Sequence, residues 1–214
     1  MQACRLQITI FKQVLNSNPQ LLIVAGPNGA GKSTIAREVV WDTFGISKYV
    51  NADTIARGLA EFDPWSVRIE AGRIMLEWIK KLAGRRESFA FETTLASRTF
   101  APMIERWRQP EHGGYNFHLI FLWLHDIELA GVRVGVRVES GGHSVPAEDI
   151  HRRYQRGRHN FCHLYRALAD TWRVFDNSDE TPLLIAEGKG LTSPVVFDEL
   201  RWAQFCEAQN DKQI

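Results

Sequence analysis

Short apolar runs recur along the chain at residues 21–25, 48–50, 88–91, 117–124, 173–175 and 183–186. Each has the length of a buried strand. The stretches between them are longer. In residues 65–82, Val67, Ile69, Ile74, Met75, Trp78, Ile79 and Leu82 recur at mostly helical spacings, behind a proline at position 64 that a first turn tolerates. Further helices are predicted over residues 32–41, 99–108, 127–138, 147–169 and 195–208. Strands alternating with helices specify an α/β fold, with a mostly parallel sheet of five or six strands covered on both faces. In such sheets ligands gather at the carboxyl ends of the strands, which directs attention to the residues just after each apolar run.

Length and composition narrow the picture. The 214 residues carry no internal repeat and no linker-like tract, so one domain is expected over residues 1–214, with residues 1–20 as an N-terminal extension. Twenty-six Lys and Arg against 25 Asp and Glu leave a net charge of +1, which disfavours a bulk electrostatic grip on nucleic acid or an acidic membrane. The longest apolar run, residues 119–124, is about a third of the ~20 residues a membrane span needs, and the first twenty residues lack a signal-peptide pattern. Cys4, Cys162 and Cys206 are odd in number and far apart, so neither a disulfide framework nor a cysteine zinc site is indicated. A cytoplasmic location is expected.

The strongest chemical signal is Gly26-Pro27-Asn28-Gly29-Ala30-Gly31-Lys32-Ser33-Thr34. It matches G-x-x-x-x-G-K-[ST] in full, follows a predicted strand and opens a predicted helix. The glycines let successive backbone N–H groups turn inward as an anion cradle, the helix start adds its positive end, and Lys32 supplies a mobile cation. ATP or GTP binding follows, with the Ser33 hydroxyl presented to Mg²⁺. The loop also looks like that of cassette-type ATPases, but residues 139–143 only faintly echo their signature and no apolar strand ends in Asp-Glu.

Two further strand ends carry carboxylates. Asp53 follows residues 48–50, where an acceptor hydroxyl would stand, and a carboxylate there can orient that hydroxyl and take its proton. The alternative makes Asp53 the N-cap of a helix beginning at Thr54. Glu92, Thr93 and Thr94 end the run at 88–91, with Arg98 close behind. They can hold substrate hydroxyls or water around Mg²⁺, or the threonines and Ser97 can cap a helix.

From Arg133 onward the chain concentrates Arg133, Arg137, Arg152, Arg153, Arg156 and Arg158. Gly141, Gly142 and Pro146 divide this stretch into helix, hinge and helix, predicting a lid over residues 139–158. On the second helix Asp149, Arg152, Arg153 and Arg156 share one face, suited either to neutralising phosphate charge or to solvation beside Glu148 and Asp149. RNA binding finds no aromatic stacking platform. His159 and His163, with Cys162 and His151 nearby, lack the pattern of a zinc protease.

Taken in order, GPNGAGKST, Asn51-Ala52-Asp53, Phe91-Glu92-Thr93-Thr94-Leu95 and the arginines from Arg137 to Arg156 resemble the zeta toxin family of P-loop kinases. The resemblance spans residues 21–188. It implies transfer of the ATP γ-phosphate, with Mg²⁺, to a hydroxyl of UDP-N-acetylglucosamine, and a separate antitoxin partner. It places Lys32 on the phosphates, Asp53 as base, Glu92 and Thr94 on the sugar nucleotide, and Arg137 as charge stabiliser; apart from the resemblance, the position of Arg152, Arg153 and Arg156 one helix turn on makes them candidates to replace the family's second lid arginine. The chain departs from the family pattern at Ala96, where those toxins carry an arginine and where Arg98 stands two residues later, and at His143, in place of a second lid arginine. A kinase for another metabolite, and an ATP-binding switch without transfer, remain the competing readings.

Overall fold

The computed structural model describes residues 18–139 and 145–207. Its centre is β1 (Gln20–Ala25), a strand whose six residues are all buried, flanked in parallel register by β3 (Phe89–Thr93) and β4 (Asn116–Trp123). The edge strand β2 (Tyr49–Val50) pairs with β3, and β5 (Thr171–Asp176) pairs with β4, both in parallel. β6 (Leu183–Gly188) and β7 (Val195–Val196) then extend the sheet antiparallel, giving seven strands in the order β2-β3-β1-β4-β5-β6-β7. The sheet therefore has one strand more than the sequence predicts. Residues 195–196, read as the start of a helix, pair with Ala186 and Glu187 instead.

Between the strands lie α1 (Lys32–Ala36), α2 (Ala52–Leu59), α3 (Arg68–Gly84), α4 (Phe100–Arg108), α5 (Ile127–Glu139), α6 (Ala147–Asn160), the short α7 (Arg166–Leu168) and α8 (Glu199–Glu207). Two predicted helices widen into π-helical turns, at Arg37–Thr43 after α1 and at Phe161–Tyr165 after α6. In the first, Val39 and Val40 are brought into the core, with Phe44 just after the turn. α3 starts three residues later than predicted, because Ser66 bonds back to Asp63 and holds Pro64 in a preceding turn. α8 starts at Glu199, with the Asp198 carboxylate accepting from the Arg201 N–H. Among the described residues no helix is long and apolar enough to cross a membrane.

One buried polar cluster crosses the sheet at its amino end. His118 on β4 bonds through Nε2 to Gln20 Oε1 (2.8 Å) and through Nδ1 to Thr171 Oγ1 (2.7 Å), tying β1, β4 and β5 together. Burial pushes the imidazole down to about 4, against a smaller pull from Asp170. The unfolded chain therefore takes up this proton first, and stability falls as pH drops from about 6.5 towards 4. At pH 5 this should cost about 2 kcal/mol relative to pH 7, and His118→Gln should lose that increment. Urea denaturation of both proteins at the two pH values measures it, and equal acid sensitivity in both would show that the loss arises elsewhere.

Candidate active site

The phosphate loop runs from β1 into α1. Gly26, Gly29 and Gly31 hold left-handed backbone at φ 143°, 77° and 78°, a region that side chains penalise. At Gly26 space forbids a side chain as well, since a Cβ would stand 2.2 Å from Leu122 O, while one on Gly31 would stand 2.6 Å from Asn177 Nδ2 and displace that amide. Asn177 follows β5 and donates from Nδ2 to Ala30 O (2.8 Å), while Arg133 on α5 donates to the carbonyls of Asn177 and Ser178 (both 2.7 Å). Arg133 thus braces the loop from behind, and Asn177 is a site residue that sequence reasoning did not single out.

Lys32 lies inside this cradle, 7% exposed, with Nζ donating to Gly26 O (2.9 Å) and Pro27 O (2.8 Å). Burial lowers its pKa, outweighing the opposing pull of Glu92 and Asp53, and Arg137 and Arg153 push the same way as burial. Asn28 Oδ1 is buried and makes no hydrogen bond among the described residues. Inward glycines and a buried ammonium at a helix start fit a polyphosphate. Beside them, Ser33 Oγ donates to Glu92 Oε2 (2.9 Å), which also accepts from Tyr49 OH (2.5 Å). A hydroxyl and a carboxylate this close are hard oxygen donors of the kind Mg²⁺ takes, so Ser33 and Glu92 suit that ion directly or through water. Burial and the Glu92 charge raise the Tyr49 pKa, keeping the phenol protonated as a donor.

A cavity of about 530 Å³ opens beside the loop. Asn28, Lys32, Asp53, Glu92 and Thr94 line one part of it. Asp53 is in the first turn of α2, but the cap is Asn51, whose Oδ1 accepts from Asp53 N (2.7 Å) and Thr54 N (3.4 Å). The capping role open to Asp53 in the sequence thus belongs to its neighbour. Thr93 and Ser97 also cap no helix: Thr93 Oγ1 accepts from Leu95 N, and Ser97 Oγ from Thr99 N, each a local turn.

Five arginines, Arg68 and Arg73 from α3 and Arg152, Arg153 and Arg156 from α6, line the same cavity. Arg152 and Arg153 approach the Asp149 carboxylate at 2.5 and 3.8 Å. Burial lowers the Arg153 pKa, with Asp149 and Asp53 pulling it up and Arg152 and Arg68 pushing it down. The α3 pair was missed by sequence reading, although Arg68, Gly72 and Met75 recur at helical spacing and mark the face that meets the cavity.

Three predicted residues sit elsewhere. Arg98 is exposed beyond the cavity lining, because the preceding turn carries it towards His159 and Tyr165. Arg137 is on α5, close enough to Lys32 to lower its pKa, but outside the cavity lining. Arg158, two positions past the cavity-lining Arg156, is buried and donates to the Phe205 carbonyl instead. His143 and the hinge glycines of the predicted lid lie outside the described residues. His159 and His163 lie with ring centroids 4.4 Å apart, and no cluster of three His, Cys, Asp or Glu that could hold a metal occurs among the described residues.

α6 is locked onto the corner after β3. A Cβ on Gly157 would stand 2.4 Å from Thr94 O, Asn160 Nδ2 donates to Leu95 O (2.8 Å), and Tyr165 OH donates to Ser97 O (2.6 Å). These contacts hold Leu95 at φ 60°, uncommon for a branched residue. At its middle, Tyr154 OH donates to Leu124 O (2.6 Å) and accepts from Trp123 Nε1 (3.0 Å).

No family profile matches the sequence. An uncharacterized protein of Haemophilus influenzae is 28% identical over 129 residues, covering 60% of this chain and 87% of its own length. Among solved structures, the AvrRxo1-ORF1:AvrRxo1-ORF2 complex with sulphate ions aligns with a TM-score of 0.73 over 100% of this chain and 71% of that one, at 16% identity. The PezAT chromosomal toxin-antitoxin system of Streptococcus pneumoniae aligns with a TM-score of 0.61 over 97% of this chain and 91% of that one, at 14% identity. The chain has the P-loop α/β fold and shares it with these two structures.

Asn177→Ala removes the bond to Ala30 and leaves that carbonyl without its partner. It should lower stability by about 1 kcal/mol and speed amide hydrogen exchange at residues 29–31. Unchanged exchange in the loop would mean that Asn177 is not its brace.

Proposed function

We propose that this protein is an ATP-dependent phosphotransferase acting on a hydroxyl of a UDP-N-acetyl sugar such as UDP-N-acetylglucosamine. The observation that carries the reading is that Lys32, Asp53 and Glu92 line one cavity together with five arginines. A phosphate cradle opening onto a cavity with a carboxylate suits transfer between two bound molecules better than capture of a nucleotide alone. ATP with Mg²⁺ supplies the phosphoryl group. Crystals of the AvrRxo1 complex with ATP support that donor, on a structure aligning with a TM-score of 0.71 at 15% identity.

The roles follow from position. Lys32 leaves the Gly26 and Pro27 carbonyls to hold the terminal phosphates, and Ser33 with Glu92 serves Mg²⁺. Asp53 accepts the proton of the attacking hydroxyl as the bond from that oxygen to phosphorus forms and the bond to the bridging oxygen breaks. Thr94 and Glu92 orient the sugar nucleotide, and Arg152, Arg153 and Arg156 pair with its diphosphate. Arg137, near Lys32, steadies charge on the donor side. Arg98 has no part in the cavity as it stands. An antitoxin is proposed as partner, on the precedent of the PezAT toxin-antitoxin assembly.

Transfer of labelled γ-phosphate to UDP-N-acetylglucosamine tests the reading. Lys32→Ala and Asp53→Asn should each lower it by at least about a hundredfold. Undiminished transfer in Asp53→Asn would remove Asp53 as the base. Transfer to a different metabolite would keep the kinase and replace the acceptor, and ATP binding with no transfer across an acceptor panel would overturn the phosphotransferase.

A further inference from the structure

Trp65 precedes α3 and reaches neither the phosphate loop nor the cavity lining. Its ring is nonetheless approached by two of the cavity arginines from different elements. The Arg68 guanidinium carbon lies 4.4 Å from the ring centroid, and that of Arg153 on α6 lies 5.8 Å from it. Arg68 is fixed a second time, by Nη1 donating to Trp65 O (2.9 Å). The indole is half-buried and packs against the core, which restrains its ring beneath the two guanidinium groups.

Gathering guanidinium groups in this way is unfavourable. Arg68 and Arg152 both act on Arg153 to disfavour its charge, and the counter-charges are Asp149 and Asp53. An indole face adds electron density without adding another carboxylate, and so lessens the repulsion while leaving the guanidinium edges free to bond an anion. A carboxylate in its place would attract the arginines more strongly and occupy those edges. Asp149 already occupies part of Arg152 and Arg153.

We infer that Trp65 is a positioning residue for the acceptor: its indole sets Arg68 and Arg153 at the cavity and couples α3 to α6 across it. This rests on the phosphotransferase reading for its kinetic form, while the arginine placement itself does not. It predicts a much larger effect on the acceptor than on the donor, since Trp65 acts on Lys32 only through the last of the influences on that ammonium, the charge of Arg153.

The test compares Trp65→Phe, which keeps a π face, with Trp65→Leu, which keeps an apolar body against the core and loses the face. In steady-state transfer, Trp65→Leu should raise the acceptor KM about tenfold with kcat and the ATP KM within about twofold of wild type, and Trp65→Phe should recover most of the loss. Calorimetric titration with inorganic pyrophosphate in a Lys32→Ala background, where the loop has lost its cation and competes less, gives a readout free of catalysis. Binding there should weaken in Trp65→Leu and be largely restored in Trp65→Phe. Equal behaviour of the two variants, a matching loss in the ATP KM, or unfolding of Trp65→Leu would overturn the inference and make Trp65 a packing residue. If wild type transfers phosphate to no acceptor yet the pyrophosphate pattern holds, the positioning role stands and the phosphotransferase reading fails.

Discussion

A carbonyl that tolerates no side chain opposite it governs the shape of the candidate site. Thr94 O presses against the backbone of Gly157, and this close approach seats α6 on the corner that ends β3. Every arginine that α6 contributes is aimed by that seating, because Arg152, Arg153 and Arg156 share one side of the helix and Gly157 fixes its rotation. The same corner holds Glu92 and Thr94 at the strand end. One short contact thus places the cationic wall and the carboxylate edge in register, and the bonds from Asn160 and Tyr165 keep it from relaxing.

The cavity is held together under electrostatic tension. Lys32 is buried among groups of both signs, and burial is the larger influence on it. Its two bonds to loop carbonyls satisfy the ammonium in place, so the cradle is stable with that side chain turned inward. On the facing side, Arg153 sits between Asp149 and other arginines with burial again opposing its charge. An anionic ligand would relieve both strains together, so the arrangement suits a polyphosphate and carries a stability cost without one.

Much of this was legible in the amino-acid order. The glycines and Lys32 announce the loop because few sequences put that spacing between an apolar strand and a helix, and the strand ends at Asp53 and Glu92 follow from parallel topology. The α3 arginines were hidden because a helix read for its apolar stripe conceals which polar side meets a cavity. Asn177 was hidden because its partner is a backbone carbonyl 147 positions away. The antiparallel end of the sheet could have been read: residues 177–182 are too few for a helical crossover, so β6 had to return beside β5 as a hairpin. Asp53 lost its capping role to Asn51 because an asparagine at the last extended position reaches the first free N–H groups more directly.

Arg158 stands apart from its neighbours on α6. It is buried, its Nε and Nη2 donate to the Phe205 carbonyl and Nη2 also to the Gln204 carbonyl, and its guanidinium lies near the rings of Trp123, Tyr154 and Phe205. These acceptors belong to the last turn of α8, where carbonyls have no partner within their own helix. A charge this deep cannot be released to solvent cheaply, so α8 and α6 behave as one lever. A substitution in the last turn of α8 would therefore load the helix whose other side lines the cavity, without touching any residue of the pocket.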